Sequence, residues 1–400
     1  MRAPRSTAAA LLALAVVAAG CGRGGGSTTT TTSPQPAIGA KGTATTAASD
    51  LGFPAFATKN TTRVGGADPI ADAAAVARAV YSGSSRVTRP HAVVLADSRD
   101  WRIGLVASAL MSSPIRAPLL YADGPKDLPA ATKSALAALA PTGSKEAGGA
   151  QVVRVGDVPE LTGLHTTDLR GADAFAIARA VDAFQAAARG TTSDRVVVVG
   201  AASPEYAMPA AAWAAKAGDP ILFTDKDDVP RDTRAAIAAH QQPKIYVLGP
   251  PSAVSDKALT QLRRLGTVTR ISGPDPAASS VAFARFVDGN FGWGVVDPGH
   301  GFVFANTRRP GDAAAAAPLS ASGTYGPLLV TDDAVTLPPA LNGYLLDVQP
   351  GYTRDPVRGV YNHGWIVGDA GALSLDAQSR IDALLEIVPV NERASTSPTP

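Results

Sequence analysis

The chain has a single cysteine, Cys21, among its 400 residues. Because a disulfide needs two cysteines and a thiolate zinc site needs several, an internal bridge and a cysteine-built metal centre are excluded. The five histidines show neither a His-x-x-x-His nor a His-Glu-x-x-His spacing. The sequence also has no P-loop, no Gly-x-Ser-x-Gly nucleophile elbow and no dinucleotide-binding fingerprint. We therefore expect no metal, no cofactor and no enzymatic activity.

The chain also lacks an excess of charge of either sign. Its formal net charge is +2, and removal of an N-terminal leader that contains Arg2 and Arg5 would balance the basic and acidic side chains. Proteins that bind nucleic acid through general electrostatics carry an excess of Lys and Arg, so nucleic acid is not an expected partner. Alanine and arginine are abundant and lysine is scarce, as in proteins from GC-rich genomes such as those of actinobacteria.

The first residues have the features of a signal peptide. Arg2 and Arg5 form a basic start, and the apolar run 8–19 is too short to span a hydrocarbon core of ~30 Å as a helix. The sequence Ala-Ala-Gly-Cys at 18–21 resembles the lipobox of bacterial lipoproteins, with Ala in place of the usual Leu. The resemblance implies that Cys21 becomes a lipidated N-terminus with acyl chains such as palmitate. A plain secretory signal with a leftover cysteine is the alternative.

Two segments have compositions that do not support a folded core. Gly, Ser, Thr, Pro and Ala dominate residues 22–58, and residues 391–400 are similarly polar. Such segments bury too little apolar surface to offset their conformational entropy. We expect a flexible tether after the anchor and a disordered tail. Beyond the leader, no run reaches the ~18 apolar residues of a membrane span, so we expect the body of the protein outside the membrane.

The remaining residues contain three similar segments. Each opens on Gly-x-Asp and an alanine-rich helix, continues with an apolar strand and a helix, and then has a second strand that runs from Pro to Asp. Another helix and a third strand that ends in Gly complete the segment. Strands separated by helices predict right-handed crossovers and a parallel sheet covered on both faces. The openings are 66–68, 171–173 and 273–275; the strands are 91–96, 117–123 and 152–157, then 195–200, 219–225 and 244–250, then 301–305, 326–332 and 364–369.

This repeated order resembles the type 2 cell wall binding repeat of Gram-positive envelope proteins, which usually occurs as three tandem copies. The resemblance covers roughly residues 60–390. It implies three Rossmann-like or flavodoxin-like α/β units around a pseudo-threefold axis that bind an anionic wall polymer non-covalently. The expected organisation is a signal peptide at 1–20, a tether at 21–58, repeats at 59–165, 166–272 and 273–390, and a tail at 391–400.

The loops after the first strands are the candidate ligand site. In parallel α/β sheets, ligands bind beyond the carboxyl ends of the strands. Arginine forks suit phosphate or carboxylate groups, and an exposed ring suits the apolar face of a sugar. The family's Asp-Ala-Leu at this point is approximated only in the third copy, as Asp-Ala-Ala. The candidate residues are Arg99, Asp100, Trp101, Arg102, Glu205, Tyr206, Arg308, Arg309 and Asp312.

An aspartate ends each second strand, at Asp123, Asp225 and Asp332. These carboxylates could hold a metal ion or a sugar hydroxyl. Because Asp is common at helix N-caps, we expect them to cap the following helices.

Together these features predict a monomeric, non-enzymatic lipoprotein on the outer face of the cell membrane. Its expected partners are the membrane, through the lipid anchor, and a cell-wall glycopolymer or peptidoglycan-linked polymer, or a protein that it scaffolds at the membrane–wall interface. One alternative is a receptor that captures a small molecule for uptake, which would need two lobes and a hinge. Another is a cell-wall hydrolase or its accessory.

Overall fold

The computed structural model describes residues 56–322 and 325–390. The predicted signal peptide, the tether up to residue 55, Cys21 and the predicted tail at 391–400 lie outside the described residues. No helix within the two described ranges is both long and apolar enough to cross a membrane.

The described residues form fifteen strands and twelve helices. The strands are β1 Phe56–Ala57, β2 Thr61–Val64, β3 Val93–Asp97, β4 Leu119–Ala122, β5 Val152–Val155, β6 Thr166–Leu169, β7 Arg195–Gly200, β8 Ile221–Thr224, β9 Lys244–Leu248, β10 Thr267–Ile271, β11 Gly301–Asn306, β12 Leu328–Thr331, β13 Gly351–Tyr352, β14 His363–Val367 and β15 Val388–Pro389. The helices are α1 Pro69–Val80, α2 Trp101–Ala107, α3 Ala130–Leu139, α4 Ala174–Arg189, α5 Pro204–Ala207, α6 Pro209–Ala217, α7 Arg231–Ala239, α8 Asp256–Leu262, α9 Pro276–Arg285, α10 Gly311–Ala321, α11 Pro339–Asp347 and α12 Leu375–Leu385.

Three sheets of parallel strands organise the molecule, which confirms the predicted fold class. Sheet I has the order β4-β3-β5-β6, sheet II has β8-β7-β9-β10 in the same sense, and sheet III has β12-β11-β14-β2, with β1 antiparallel at its edge. The first predicted strand of each segment is central, and β3 and β11 are buried along their whole length. A strand covered on both faces has to be apolar throughout, and this explains the continuous Val and Leu runs. We call the residues around each sheet units I, II and III.

Each sheet has a fourth parallel strand that the sequence analysis missed. These strands are β6, β10 and β2, and each directly precedes a Gly-x-Asp opening. They are short and rich in Thr, Asp and Arg, so they lack the apolar pattern that marked the other strands. For sheet III the fourth strand comes from the N-terminal side of unit I. The two ends of the described chain therefore meet in one sheet.

Buried Arg63 holds this N-terminal strand in place. Its Nε donates to Gln378 Oε1 at 3.0 Å, and its Nη atoms donate to the carbonyls of Gly368, Asp369 and Leu373 at 2.7–2.9 Å. The side chain thus satisfies backbone acceptors of the loop after β14. Leaving these buried acceptors unpaired would cost about 1–3 kcal/mol each.

The helices between the units are capped by the Gly-x-Asp aspartates. Asp68, Asp173 and Asp275 each accept a bond from a backbone N–H of α1, α4 or α9, at 2.7–2.9 Å. The expected caps after the second strands were wrong. The N-cap residues of α3, α7 and α11 are Pro129, Pro230 and Pro338, and none of these helices has a side-chain cap, because proline has no side-chain acceptor for a helix N–H.

The units join through alanine-rich helices. Helix α10 packs on α1, α2 and α6, and α2 also packs on α4 and α6. Residues 312–320 of α10 are all buried, and the five consecutive alanines there allow neighbouring helices to approach closely. Gly104 of α2 leaves room for the Tyr121 side chain of β4, since a Cβ there would lie 2.1 Å from Tyr121 Oη. One hydrophobic core extends through all three units.

Candidate functional site at the strand ends

Each sheet has a crevice between the carboxyl ends of its first and third strands. The second strand pairs with one side of the first strand, and the third strand pairs with its other side, so the connections after the first and third strands diverge. In parallel α/β sheets, ligands bind at this topological switch point. The crevices lie between β3 and β5, between β7 and β9, and between β11 and β14. The loops 97–102, 201–206 and 306–312 begin there.

A glycine with positive φ follows the third strand at every crevice. Gly156, Gly249 and Gly368 have φ of 84°, 110° and 91°. A Cβ at Gly156 would lie 3.2 Å from Ile103, one at Gly249 would lie 3.1 Å from Tyr206, and one at Gly368 would lie 2.7 Å from a neighbouring alanine. Glycine therefore allows the first loop to lie against the end of the third strand.

Arg99 spans the crevice of sheet I. Its Nη2 lies 2.6 Å from Asp97 Oδ2 at the end of β3 and 3.3 Å from Asp157 Oδ2, which follows the third strand. The Asp97 carboxylate raises the pKa of the guanidinium. The Arg99 side chain is 49% exposed, and its Nη1 has no acceptor among the described residues. This crevice thus presents a fixed cation with hydrogen-bond donors that face solvent.

Arg309 spans the crevice of sheet III, but it is largely buried there. Its Nε lies 2.8 Å from Asp312 Oδ2, its Nη1 lies 3.4 Å from Asp369 Oδ1, and its Nη2 pairs with Asp72 of α1. The side chain is only 17% exposed. Every nitrogen of the guanidinium faces a carboxylate of the protein, so this arginine joins α1, α10 and the end of β14.

Two fully buried carboxylates share the Arg309 charge. Burial raises the pKa of Asp72 well above its usual range, the adjacent Asp312 raises it further, and Arg309 lowers it. Burial also raises the pKa of Asp312 to about 6, against the opposing effect of Arg309. One guanidinium cannot neutralise two buried carboxylates and the nearby Asp369, so the Asp72–Asp312 pair retains a proton well above the usual carboxyl range.

An aromatic ring takes the corresponding place in the crevice of sheet II. Tyr206 on the short helix α5 lies over Gly249, and burial raises the pKa of its phenol, with further increases from Glu205 and Asp275. Both Glu205 and Tyr206 are half-buried. This crevice has no arginine in its first loop, so its chemistry differs from that of the other two.

Trp101 and Arg102 lie at the junction between units I and II. Trp101 begins α2, and its ring meets the ring of Phe223 on β8 edge-on, with centroids 5.8 Å apart. Phe175 of α4 contacts the same Phe223 ring. Arg102 pairs with Asp100 at 2.7 Å. The tryptophan therefore contributes to packing between two units rather than to a free platform for a sugar ring.

Arg308 is exposed at the mouth of the sheet III crevice. Its backbone N–H donates to Asn306 Oδ1 at 2.9 Å, while its side chain has no hydrogen bond or ion pair within residues 56–322 and 325–390. Adjacent arginines in the sequence thus have opposite environments, one in solvent and one buried among carboxylates.

Three carboxylates that define these crevices were not predicted from the sequence. Asp157 and Asp369 follow the third strands, where the Gly-Asp pair of copies one and three, replaced by Gly-Pro in copy two, was the available signal. Asp72 had a weaker signal, as an acidic residue on the alanine-rich face of α1. Its partner Arg309 is 237 residues away in the chain, so only the fold brings them together.

No group of three His, Cys, Asp or Glu side chains in the described part of the chain is placed to hold a metal ion. Buried His240 instead joins structural elements. Its Nε2 lies 2.8 Å from Asp182 Oδ2, and its Nδ1 lies 2.8 Å from the carbonyl of Ser193.

Comparison with known proteins links one unit to a family. Residues 169–259 match the family model of cell wall binding domain 2. The match begins at the last residue of β6 and runs into α8, so it covers α4 and the first three strands of sheet II.

Two curated proteins of Bacillus subtilis (strain 168) are similar over shorter stretches. The N-acetylmuramoyl-L-alanine amidase LytC is 28% identical over 143 residues, which are 36% of this chain and 27% of that protein. The amidase enhancer is 30% identical over 126 residues, which are 32% of this chain and 16% of that protein. The similarity therefore spans about a quarter or less of either relative.

Two solved structures share the fold. Cwp8 from Clostridium difficile matches with a TM-score of 0.61 and 17% identity over 82% of this chain and 52% of that one. Cwp6 from the same organism matches with a TM-score of 0.62 and 16% identity over 82% of this chain and 48% of that one. The match of residues 169–259 to the cell wall binding domain 2 model confirms, for unit II, the resemblance that the repeated strand pattern indicated.

Proposed function

We propose that this protein is a lipid-anchored envelope protein that binds an anionic cell-wall glycopolymer non-covalently. The family match supports association with the cell wall. The lipobox-like sequence that ends at Cys21 supports an anchor on the outer face of the cell membrane. We assign one binding repeat to each of the segments 59–165, 166–272 and 273–390 and propose that the protein acts as a monomer, by binding rather than by catalysis.

The half-exposed Arg99 at the sheet I crevice carries this proposal. Its Asp97 partner fixes the guanidinium, while Asp157, at 3.3 Å and with a side chain 61% exposed, is a weak and displaceable partner. A phosphate or carboxylate group of the polymer can replace Asp157 and use the free Nη1 donors as well. Bidentate contacts of this kind are among the stronger charge-assisted hydrogen bonds.

Arg308 supplies a second exposed cation, at the sheet III crevice. Arg309 is excluded from polymer binding in this proposal, because its side chain is only 17% exposed and its charge is already paired with three carboxylates of the protein. We therefore assign polymer binding to Arg99 and Arg308, and we assign Arg309 and Asp312 to the structure of the junction between units III and I.

Co-sedimentation with purified cell walls tests this function. Residues 22–400, without the lipid, should sediment with walls from the same host and should remain in solution once the secondary polymers are chemically stripped. Arg99→Ala should weaken retention about threefold to tenfold, as expected for the loss of one charged contact. Arg358→Ala is the matched control, because the Arg358 side chain is 89% exposed and outside the crevices. Equal retention on intact and stripped walls would contradict the proposal.

The anchor is tested separately. Cys21→Ser should release the protein from the membrane fraction into the medium and should abolish incorporation of labelled palmitate, because one or two acyl chains provide the membrane affinity. Retention of the variant in the membrane fraction would point to an uncleaved leader instead of a lipid.

An accessory role beside a wall hydrolase is a second candidate, favoured by the similarity to an amidase and to an amidase enhancer. In that role the chain would raise the rate at which a host amidase releases peptide from walls. The rate should rise with wild-type protein and fall back with Arg99→Ala. An unchanged rate would leave the anchoring function alone.

A further inference from the structure

Unit I lacks a helix that the other two units have. In unit II the segment between β9 and β10 contains α8, and in unit III the segment after β14 contains α12. The equivalent connection in unit I, residues 156–165 between β5 and β6, contains no helix.

The two helices cover the same place in their own units. In unit II, Ser255 N donates to Lys226 O at 2.8 Å, and Gln261 Nε2 donates to Asp227 O at 3.1 Å. Both acceptors are in the turn after the second strand. In unit III, Ser374 N donates to Ala334 O at 2.7 Å in the corresponding turn. Helix α12 also packs on α11, where Arg380 donates to Asn342 Oδ1 at 2.9 Å.

Unit I has an open groove at the corresponding place. A cavity of about 710 Å³ lies between the turn after β4, helix α3 and the connection 156–165. Lys133 lines it and stands four residues after the capping Pro129, as Asn342 stands four residues after Pro338. Lys133 therefore occupies the position in unit I that Asn342, which α12 contacts, occupies in unit III.

The groove combines an apolar floor with a basic rim. Half-buried leucines and two buried prolines form the floor. Arg89, Lys126 and Lys133 stand exposed around it, and Asp127 and Glu160 are the only acidic residues among those that line it. Neither lysine has an ion pair within the described ranges. The apolar floor residues are Leu128, Leu136, Pro141, Pro159, Leu161 and Leu164.

We propose that this groove docks an amphipathic helix of a partner protein whose polar face is acidic. A helix is the element that fills this position in units II and III, and leucine-lined grooves take the apolar stripe of such a helix. The excess of cations on the rim favours carboxylates on the partner's polar face and disfavours a basic helix.

The chain itself provides two matched probes. The acidic probe is a lactam-bridged peptide of residues 373–387, which presents the apolar stripe of α12 with three carboxylates and one arginine. The basic probe is a lactam-bridged peptide of residues 253–265, which presents the apolar stripe of α8 with three cations and one carboxylate. The bridge removes the cost of helix formation, which otherwise limits short peptides. With the full chain solubilised in detergent, the acidic peptide should bind about tenfold more tightly than the basic one, as expected for electrostatic selection.

Variants of the full chain test the site. Lys126→Glu with Lys133→Glu should remove or reverse this preference, whereas Lys145→Glu, an exposed lysine outside the groove, should preserve it. Replacing residues 156–165 with a copy of 249–266 supplies the missing helix and should abolish binding of both peptides, with the fold of units II and III unchanged.

Four results would overturn the proposal. One is failure of both bridged peptides to bind, and another is equal affinity for both. The other two are different occupants. Concentration-dependent dimers that the double lysine variant dissociates would assign the groove to a second copy of this chain. Binding of stripped wall polymer with the same lysine dependence would assign it to the glycan.

Discussion

The crevices of sheets I and III use the same residue types for different purposes. In both, an arginine of the first loop reaches an aspartate after the third strand, Arg99 to Asp157 and Arg309 to Asp369. The first arginine is half exposed, and the second is buried and also pairs with Asp72. The difference arises because α1 packs on α10 and brings a third carboxylate to the sheet III crevice. Exposure, rather than residue type, decides which arginine can bind a ligand.

Removal of residues 56–64 should have the largest effect. This effect should be confined to sheet III and should leave sheet I intact. Sheet III would lose β2 and the Arg63 contacts, and β14 would become an open edge. We expect unit III to lose cooperative folding. Hydrogen exchange should show lost protection of β11 and β14 and retained protection of β3. Equal protection in all three strands would show that β2 is dispensable.

Substitution of the two arginines should separate their roles. Arg309→Ala leaves two buried carboxylates without their cation, which should lower the free energy of unfolding by about 3 kcal/mol. Arg99→Ala should leave the denaturation midpoint nearly unchanged and weaken wall retention instead. Chemical denaturation and co-sedimentation of the same preparations measure both effects. Similar midpoints for the two variants would refute this division of roles.

The pH dependence of stability should report the buried pair in unit III. The folded pKa of Asp312 is raised from 3.8 to about 6, and that of Asp72 is raised as well, so the folded state binds protons that the unfolded state has released. Their stabilising contribution is present in full below the unfolded pKa and is lost as pH rises through the folded value. The free energy of unfolding should therefore decline between pH 3.8 and about 6, and Asp312→Asn should flatten this decline. A steeper decline in the variant would refute the assignment.

Substitution of the aspartates after the third strands should give the smallest effect. Asp157→Asn removes the carboxylate that competes with a ligand for Arg99, so wall retention should rise about twofold. Asp369→Asn at the sheet III crevice should not change it, because Asp72 and Asp312 still hold Arg309. Equal increases in both variants would mean that Arg309 also contacts the polymer.

The strand pattern of the fold could be predicted because strands in the centre of a parallel sheet are apolar on both faces. Runs such as the one at 195–200 therefore stood out, and the Gly-x-Asp openings marked the start of each connecting helix. The fourth strands could not be predicted in this way, because a strand such as β2, Thr-Thr-Arg-Val, has no apolar run although it is largely buried. The candidate loops begin at the crevices, but their sequences gave no information on exposure.

The sequence by itself determined the three α/β units, the first three strands of each in chain order and the glycines that follow the third strands, because these depend on local periodicity and turn residues. The tertiary structure decided which sheet receives the N-terminal strand, which arginine is neutralised and which unit has an open groove. Those features depend on contacts between residues far apart in the chain, such as Asp72 with Arg309. The open groove in unit I is recognised only because units II and III have a helix at the corresponding place.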